Sequence, residues 1–270
     1  MILLKIFNII KIIIIAIVEG ITEWLPISST GHMIIVEKII DIKNIFVNKE
    51  AFYDLFLVVI QLGAVSAVMV KYFMKLIPKK NSDNQSIYQN WLYIIVSTIP
   101  AALIGIIFDN ILFSKLYNVL VVSIMLIIYG IIFLFIEKKK FKKQKLTIKT
   151  AFIIGLFQVL SLIPGTSRSG ILIIAGIMVL GDKIAATEFS FLCSIPVIFG
   201  ASLLKIIKYL AVYNFVNSDL ILLIIGMLVS FIVSVFVLNK LVDFVSKKSL
   251  KFFGFYRIVL GITILIILLF

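Results

Sequence analysis

Glu19 and Glu23 stand four residues apart in an otherwise aliphatic stretch, and Ser28-Ser29-Thr30-Gly31-His32 follows within a few positions. A spacing of four places both carboxylates on one helical face. Far along the chain, Pro164-Gly165-Thr166-Ser167-Arg168-Ser169-Gly170 offers a second serine-rich run, this time with a guanidinium. Half-helices opening after Ser29 and after Ser167 would begin with free backbone N–H groups and partial positive charge. Two such ends converging on one point make a strong anion site, and Arg168 adds a planar fork suited to phosphate oxygens. Ser28, Thr30, Ser167, Thr166 and Ser169 are further candidate phosphate contacts. Glu19 and Glu23 would repel that anion unless they act as base and acid or hold a divalent cation. Mg2+ or Ca2+ is the candidate, since magnesium is typically held by one or two carboxylates plus substrate phosphates. Ser29 is the candidate nucleophile, and His32, three residues on, is placed to orient or deprotonate a serine hydroxyl.

The setting of these residues decides what they act on. The chain of 270 residues is 62% hydrophobic and only 14% charged, with a mean hydropathy of +1.21. Soluble domains run at about 45–50% apolar and roughly 25% charged, so there is too little polar surface here for a water-soluble ball. An ionised side chain at the bilayer centre costs at least about 2.5–3.5 kcal/mol, so Glu19, Glu23 and Arg168 should face an interior cavity and carry function. An anion cradle, a nucleophile, a base and an arginine inside a membrane suggest phosphoryl chemistry on a lipid phosphate, where catalysis is mostly positioning and charge stabilisation. The plainer alternative is an ion pair that merely pins the two segments together. Against it, one arginine cannot neutralise two carboxylates. A single cysteine, Cys193, excludes a disulfide framework and Cys-based metal sites. A single histidine excludes the helical zinc-protease motif and any mechanism needing two imidazoles.

Positioning falls to helices. Spanning the hydrocarbon takes about 20 apolar residues, and six stretches qualify: 52–74, 90–108, 116–136, 188–212, 218–238 and 252–270. Residues 2–18 and 147–163 are instead cut short by the two serine-rich runs, and each is followed by a second short apolar piece, 33–40 and 171–180. Each pair reads as a re-entrant helical hairpin, whose broken backbone is tolerated only when buried in protein or lining a wet cavity. Residues 2–18 lack a small-residue cleavage site and run into Glu19, so they belong to the fold rather than to a signal peptide. The order hairpin, three spans, hairpin, three spans repeats. Pro26 lies 138 positions before Pro164, Glu50 lies 138 before Glu188, and Gly63-Ala64 lies 137 before Gly200-Ala201. Three crossings per half make this an inverted-topology repeat with a shared site near the midplane. The expected layout is one all-α membrane domain, with repeats 1–137 and 147–270 joined by a basic linker, 138–146.

Orientation follows from lysine. The side reached after spans one and three carries 16 lysines, seven of them within 138–149, against eight on the other. Positive loops stay cytoplasmic, so both termini and the mouth of the first hairpin face outward. The net charge of +13 therefore reads as solvated loops touching anionic phospholipids, not as a nucleic-acid surface. The sequence leaves room for a homodimer.

Glu19-Gly-Ile-Thr-Glu23-Trp-Leu-Pro-Ile-Ser-Ser-Thr-Gly-His32 and Pro164-Gly-Thr-Ser-Arg-Ser-Gly170 closely resemble the two signatures of the undecaprenyl-diphosphate phosphatase (bacitracin-resistance) family. Val58-Val-Ile-Gln-Leu-Gly63, Thr187-Glu-Phe-Ser-Phe191 and Tyr256-Arg257 extend the resemblance over nearly the whole chain. It implies hydrolysis of undecaprenyl diphosphate to undecaprenyl phosphate and inorganic phosphate in a bacterial cell membrane, where the lysine balance would open the site to the outer face. The product is the recycled lipid carrier of cell-wall synthesis. Carried over, Ser29 matches the proposed nucleophile, His32 the histidine beside it, and Glu19 and Glu23 the acidic pair with base or metal roles. Arg168 matches the phosphate-binding arginine and Ser167 the second serine. Thr166 departs from the aromatic residue of some members. The alternative is a lipid-phosphate transporter or flippase using the same midplane site, since inverted repeats around broken helices also serve alternating access. The acid-phosphatase type of lipid phosphatase is excluded, because it needs two histidines.

Other polar residues read as structural. Glu50, Asp54 and Glu188 suit helix starts. Trp24 and Trp91 read as interfacial anchors, Arg257 as a side chain snorkelling to headgroups, Gln61 and Gln158 as interhelical hydrogen-bonders, and Cys193 as a packed hydrophobe.

Overall fold

The computed structural model describes residues 2–78, 84–116 and 118–269, with backbone alone at 2–5, 109–115 and 268–269. It is all-helical, with no strand among the described residues: α1 (Ile2–Thr22), α2 (Ser29–Ile40), α3 (Lys49–Lys71), the single turn α4 (Phe73–Leu76), α5 (Gln85–Leu116), α6 (Val119–Ile136), α7 (Ile148–Gln158), α8 (Arg168–Leu180), α9 (Lys183–Leu210), α10 (Asn217–Lys247) and α11 (Lys251–Leu269). Short 3-10 turns occupy Lys43–Ile45 and Val159–Leu162. Among the described residues, five helices are long and apolar enough to cross a membrane: α3, α5 over Gln85–Phe108, α6, α9 and α10. They coincide with five of the six expected spans, and the sixth, 252–270, coincides with the 19-residue α11. Their outer faces carry exposed isoleucine, leucine and phenylalanine, such as Ile106, Leu203 and Phe236, a surface suited to lipid. The chain is a multi-pass membrane protein. Of the lysines counted for orientation, Lys79 and Lys80 lie outside the described residues, as do the side chains of Lys5 and Lys115.

The helices pack in pairs that bring both breaks to the centre. α1 lies against α10, α7 against α5, α3 against both α9 and α10, and α6 along α11. The last pair approaches closely through small residues: a Cβ on Gly254 would sit 2.7 Å from the Gly130 carbonyl, and one on Gly261 2.8 Å from that of Ser123. Small residues at helix contacts serve this purpose in membranes, where apolar burial gives little drive for association. Between α6 and α7 the basic linker runs without regular structure, tied to the end of α8 by the bond from Gln144 N–H to Leu180 O, 3.0 Å.

The breaks follow from local chemistry. Pro26 cannot continue α1, because its ring removes an N–H donor and restricts the residue before it. Pro164 and Gly165 end the second segment, and Gly165 sits at φ +91, with its α-carbon so close to α6 that a Cβ would lie 2.5 Å from Val122 O. Each break closes on a serine N-cap in the same unusual conformation, Ser28 at φ 72, ψ 99 and Ser167 at φ 71, ψ 115. Such non-glycine backbone costs of order 1–3 kcal/mol and persists only where its surroundings enforce it. The Ser28 hydroxyl accepts from Gly31 N–H, 3.4 Å, and Ser167 from Gly170 N–H, 3.1 Å. This corrects the register expected from sequence. The caps match at Ser28 and Ser167, so α2 opens on Ser29 and α8 opens on Arg168, and these two residues occupy equivalent first positions.

Candidate active site at two helix breaks

Glu23 lies one residue beyond α1, its N–H still bonded to Glu19 O at 3.0 Å, and its carboxylate joins the two breaks. Ser29 donates its hydroxyl to Glu23 Oε2 at 2.8 Å. Arg168 Nη2 donates to Glu23 Oε1 at 2.6 Å, an ion pair with both side chains nearly buried. The first residues of α2 and α8 therefore hold the two oxygens of one carboxylate. Removing one partner of such a pair typically costs about 3–5 kcal/mol, because it leaves a buried charge uncompensated. Arg168 Nη1 is buried and has no hydrogen-bond partner, so half of the fork is left unsatisfied.

A cavity of about 200 Å3 opens beside this cluster. Glu23, Ser28, Ser29, Thr30, Ser167 and Arg168 line it. The first-turn N–H groups of α2 and α8 have no intrahelical acceptor; Gly31 and Gly170 give theirs to the cap hydroxyls, while Ser29, Thr30 and Arg168 lie on this wall. A small cavity ringed by hydroxyls, a guanidinium and two helix N-termini suits a tetrahedral anion.

Four of the predicted site residues lie around this cavity without lining it. Glu19 is buried, one turn behind Glu23, and its Oε1 has no partner. Ser169 donates to Leu25 O at 3.2 Å, tying α8 to the first break. Thr166 is fully buried and presents its carbonyl to Arg257. His32 turns away from Ser29: Nδ1 lies 2.8 Å from Ser28 O, and Nε2 2.7 Å from the Tyr256 hydroxyl.

Two structural assignments from sequence are overturned here. Arg257 does not snorkel to headgroups: it is fully buried and donates from Nη1 to Pro26 O at 3.0 Å and from Nη2 to Gly165 O and Thr166 O at 2.8 and 3.0 Å. Broken helices leave carbonyls without intrahelical donors, and a five-donor guanidinium satisfies three of them at once. Trp24 is no interfacial anchor either. It is fully buried, edge-on to Phe191 at 5.5 Å. The signal for Arg257 was its rarity, one of two arginines among 26 basic residues. Gln61 lines the cavity, a place its sequence context did not reveal. Gln158 does bond between helices, to Ser97 O at 3.1 Å, and Cys193 is buried against the Ser97 hydroxyl.

The fold and site define a polytopic helical membrane protein with a polar-lined cavity between two helix breaks. A family model described as bacitracin resistance protein BacA matches residues 12–263, and the chain belongs to that family. Among curated relatives, the undecaprenyl-diphosphatase of Enterococcus faecalis is 44% identical over 98% of this chain and 98% of its own length. That of Streptococcus mutans is 48% identical over 96% and 95%, and that of Acetivibrio thermocellus 44% identical over 96% and 97%.

Proposed function

We propose that this chain is a membrane phosphatase that hydrolyses undecaprenyl diphosphate to undecaprenyl phosphate and inorganic phosphate, recycling the lipid carrier for cell-wall synthesis. The observation that carries the reading is the line from Ser29 through Glu23 to Arg168 across two helix N-termini. The relatives are named for this activity, which leaves the transport reading without comparable support.

In the reaction, Ser29 Oγ attacks the terminal phosphorus as its proton passes to Glu23 Oε2, the nearest acceptor. The bond from that phosphorus to the bridging oxygen breaks, and undecaprenyl phosphate leaves with the electron pair. Water then attacks the phosphoserine, releases inorganic phosphate and restores Ser29. Arg168 engages the terminal phosphate oxygens through Nη1, and the N–H groups of α2 and α8 stabilise the charge that builds on them. Thr30, Ser28 and Ser167 complete the wall. Glu19 sits behind Glu23 and sets its electrostatic surroundings, and His32 orients the Ser28 turn.

A divalent cation would draw on Glu23 and the unpartnered Glu19 Oε1, but both Glu23 oxygens are engaged by Ser29 and Arg168, so it would have to displace or share one of those bonds. Among the described residues there is no cluster of three or more His, Cys, Asp or Glu side chains, so diphosphate oxygens would have to complete the shell. Bound there, Mg2+ or Ca2+ would offset the charge of the substrate. The equivalent caps Ser28 and Ser167, and the pairing of α1 with α10 as α7 pairs with α5, support an inverted repeat of 1–137 and 147–270 in one membrane domain, each half opened by a re-entrant hairpin. The lysine balance supports a cavity that opens outward from the bacterial cell membrane, with the linker 138–146 on the cytoplasmic face against anionic phospholipids.

Purified protein supplied with a C55 diphosphate should release phosphate, and the release should fall on adding chelator. No phosphate release from correctly folded protein would overturn the reading, and full release in chelator would remove the cation.

A further inference from the structure

His32 is the sole histidine of the chain, and both ring nitrogens are engaged. Nδ1 faces the Ser28 carbonyl at 2.8 Å. A carbonyl only accepts, so the proton of the neutral ring sits on Nδ1. The lone pair is then on Nε2, where the Tyr256 hydroxyl donates to it at 2.7 Å. The two rings lie nearly parallel, 3° apart, with centroids at 5.6 Å. The imidazole therefore offers Ser29 no lone pair, and a second proton on the ring would not supply one. The acceptor within reach of Ser29 is Glu23.

What the imidazole holds is the peptide between Ser28 and Ser29. That peptide is trans and planar, so its C=O and N–H point in opposite directions. Fixing the Ser28 carbonyl on His32 thereby aims the Ser29 N–H away from His32, and Ser28 and Ser29 both line the cavity. Ser28 stands at φ 72, a conformation that needs such an outside hold.

We infer that Tyr256, a residue of α11, is a positioning residue for the reaction. Its phenol fixes the tautomer of His32, His32 fixes the Ser28–Ser29 peptide, and that peptide presents the Ser29 hydroxyl and N–H to the phosphoryl group. The kinetic consequence rests on the phosphatase reading, whereas the hydrogen-bond chain does not.

Two measurements test the inference. With one histidine, 15N-histidine labelling of the detergent-solubilised protein gives a single pair of ring signals. Wild type should show the Nδ1–H tautomer, and Tyr256→Phe, which keeps the ring stack, should move the Nε2 signal toward that of an unbonded imine nitrogen. An Nε2–H tautomer in wild type would overturn the chain. In phosphate release, Tyr256→Phe should lower kcat by about 10- to 100-fold, the scale of a small misplacement of reacting groups, with KM little changed. In a His32→Asn background the same change should have no further effect, because Tyr256 acts through the imidazole. A wild-type kcat in Tyr256→Phe, or equal losses in both backgrounds, would also overturn it. If wild type itself releases no phosphate, the proposed function fails, and the nitrogen signals still decide the positioning chain.

Discussion

In the first break, residues 23–28, the chain leaves α1 on a carboxylate and enters α2 on a hydroxyl, Glu23 and Ser29. In the second, residues 163–167, it passes a positive-φ glycine and enters α8 on a guanidinium, Arg168. The frames match closely: both close on a serine N-cap near φ 71, and both lend carbonyls to Arg257. The side chains do not match. One break carries the carboxylate and the proposed nucleophile, the other the guanidinium and the close backbone. The comparison teaches that a repeated backbone device can supply the same N–H geometry twice while each copy specialises in one sign of charge. Glu23 is where the two meet.

Loss of the nucleophile should separate the breaks most. Ser29→Ala should reduce phosphate release by about 10^3-fold or more, while Ser167→Ala, at the cap of the second break, should cost far less. Equal losses would make the two serines interchangeable and end the distinction. Next in size is the guanidinium: Arg168→Lys keeps the charge but loses the fork, and should lower kcat/KM by about 10^2-fold. A lysine variant with wild-type kinetics would reduce Arg168 to a point charge. Third comes the acid pair. Glu23→Gln should slow turnover by about 10^2-fold by removing the acceptor from Ser29, and Glu19→Gln by less, since Glu19 touches neither Ser29 nor the cavity. A larger effect at Glu19 would reverse the assigned roles. Smallest is a test of the shared frame, read as thermal unfolding in detergent. Ser28→Gly and Ser167→Gly each relieve positive-φ strain and remove a cap, opposing terms of about 1 kcal/mol each, so both should shift stability little and alike. A large shift at one site alone would show that the frames are not equivalent.

Much of this was legible beforehand. Glu19, Glu23 and Arg168 stood out because charge is rare in apolar sequence, and the proline-and-serine runs marked the breaks because proline and N-caps act locally. Five long apolar helices were readable for the same reason. The register of the caps was not, since Pro26 and Pro164 align at one offset and Ser28 and Ser167 at another, and only the turn geometry chooses. Arg257 and Trp24 were misread because an amphipathic side chain near a helix end suits an interface as well as a core, and their partners lie on segments distant in sequence. His32 was placed beside the right serine run, but sequence could not tell which nitrogen faces which neighbour.

The span between Arg257 and its first acceptor, 231 residues, bears on how the protein comes into being. Synthesis runs from the first break to the second and reaches α11 last. Until that helix is inserted, the carbonyls of Pro26, Gly165 and Thr166 lack their donor and His32 lacks its phenol. A nascent chain stalled before α11 would thus hold every group assigned to bond cleavage, yet lack the lock that aligns them. The final inserted helix completes the alignment of groups laid down long before it.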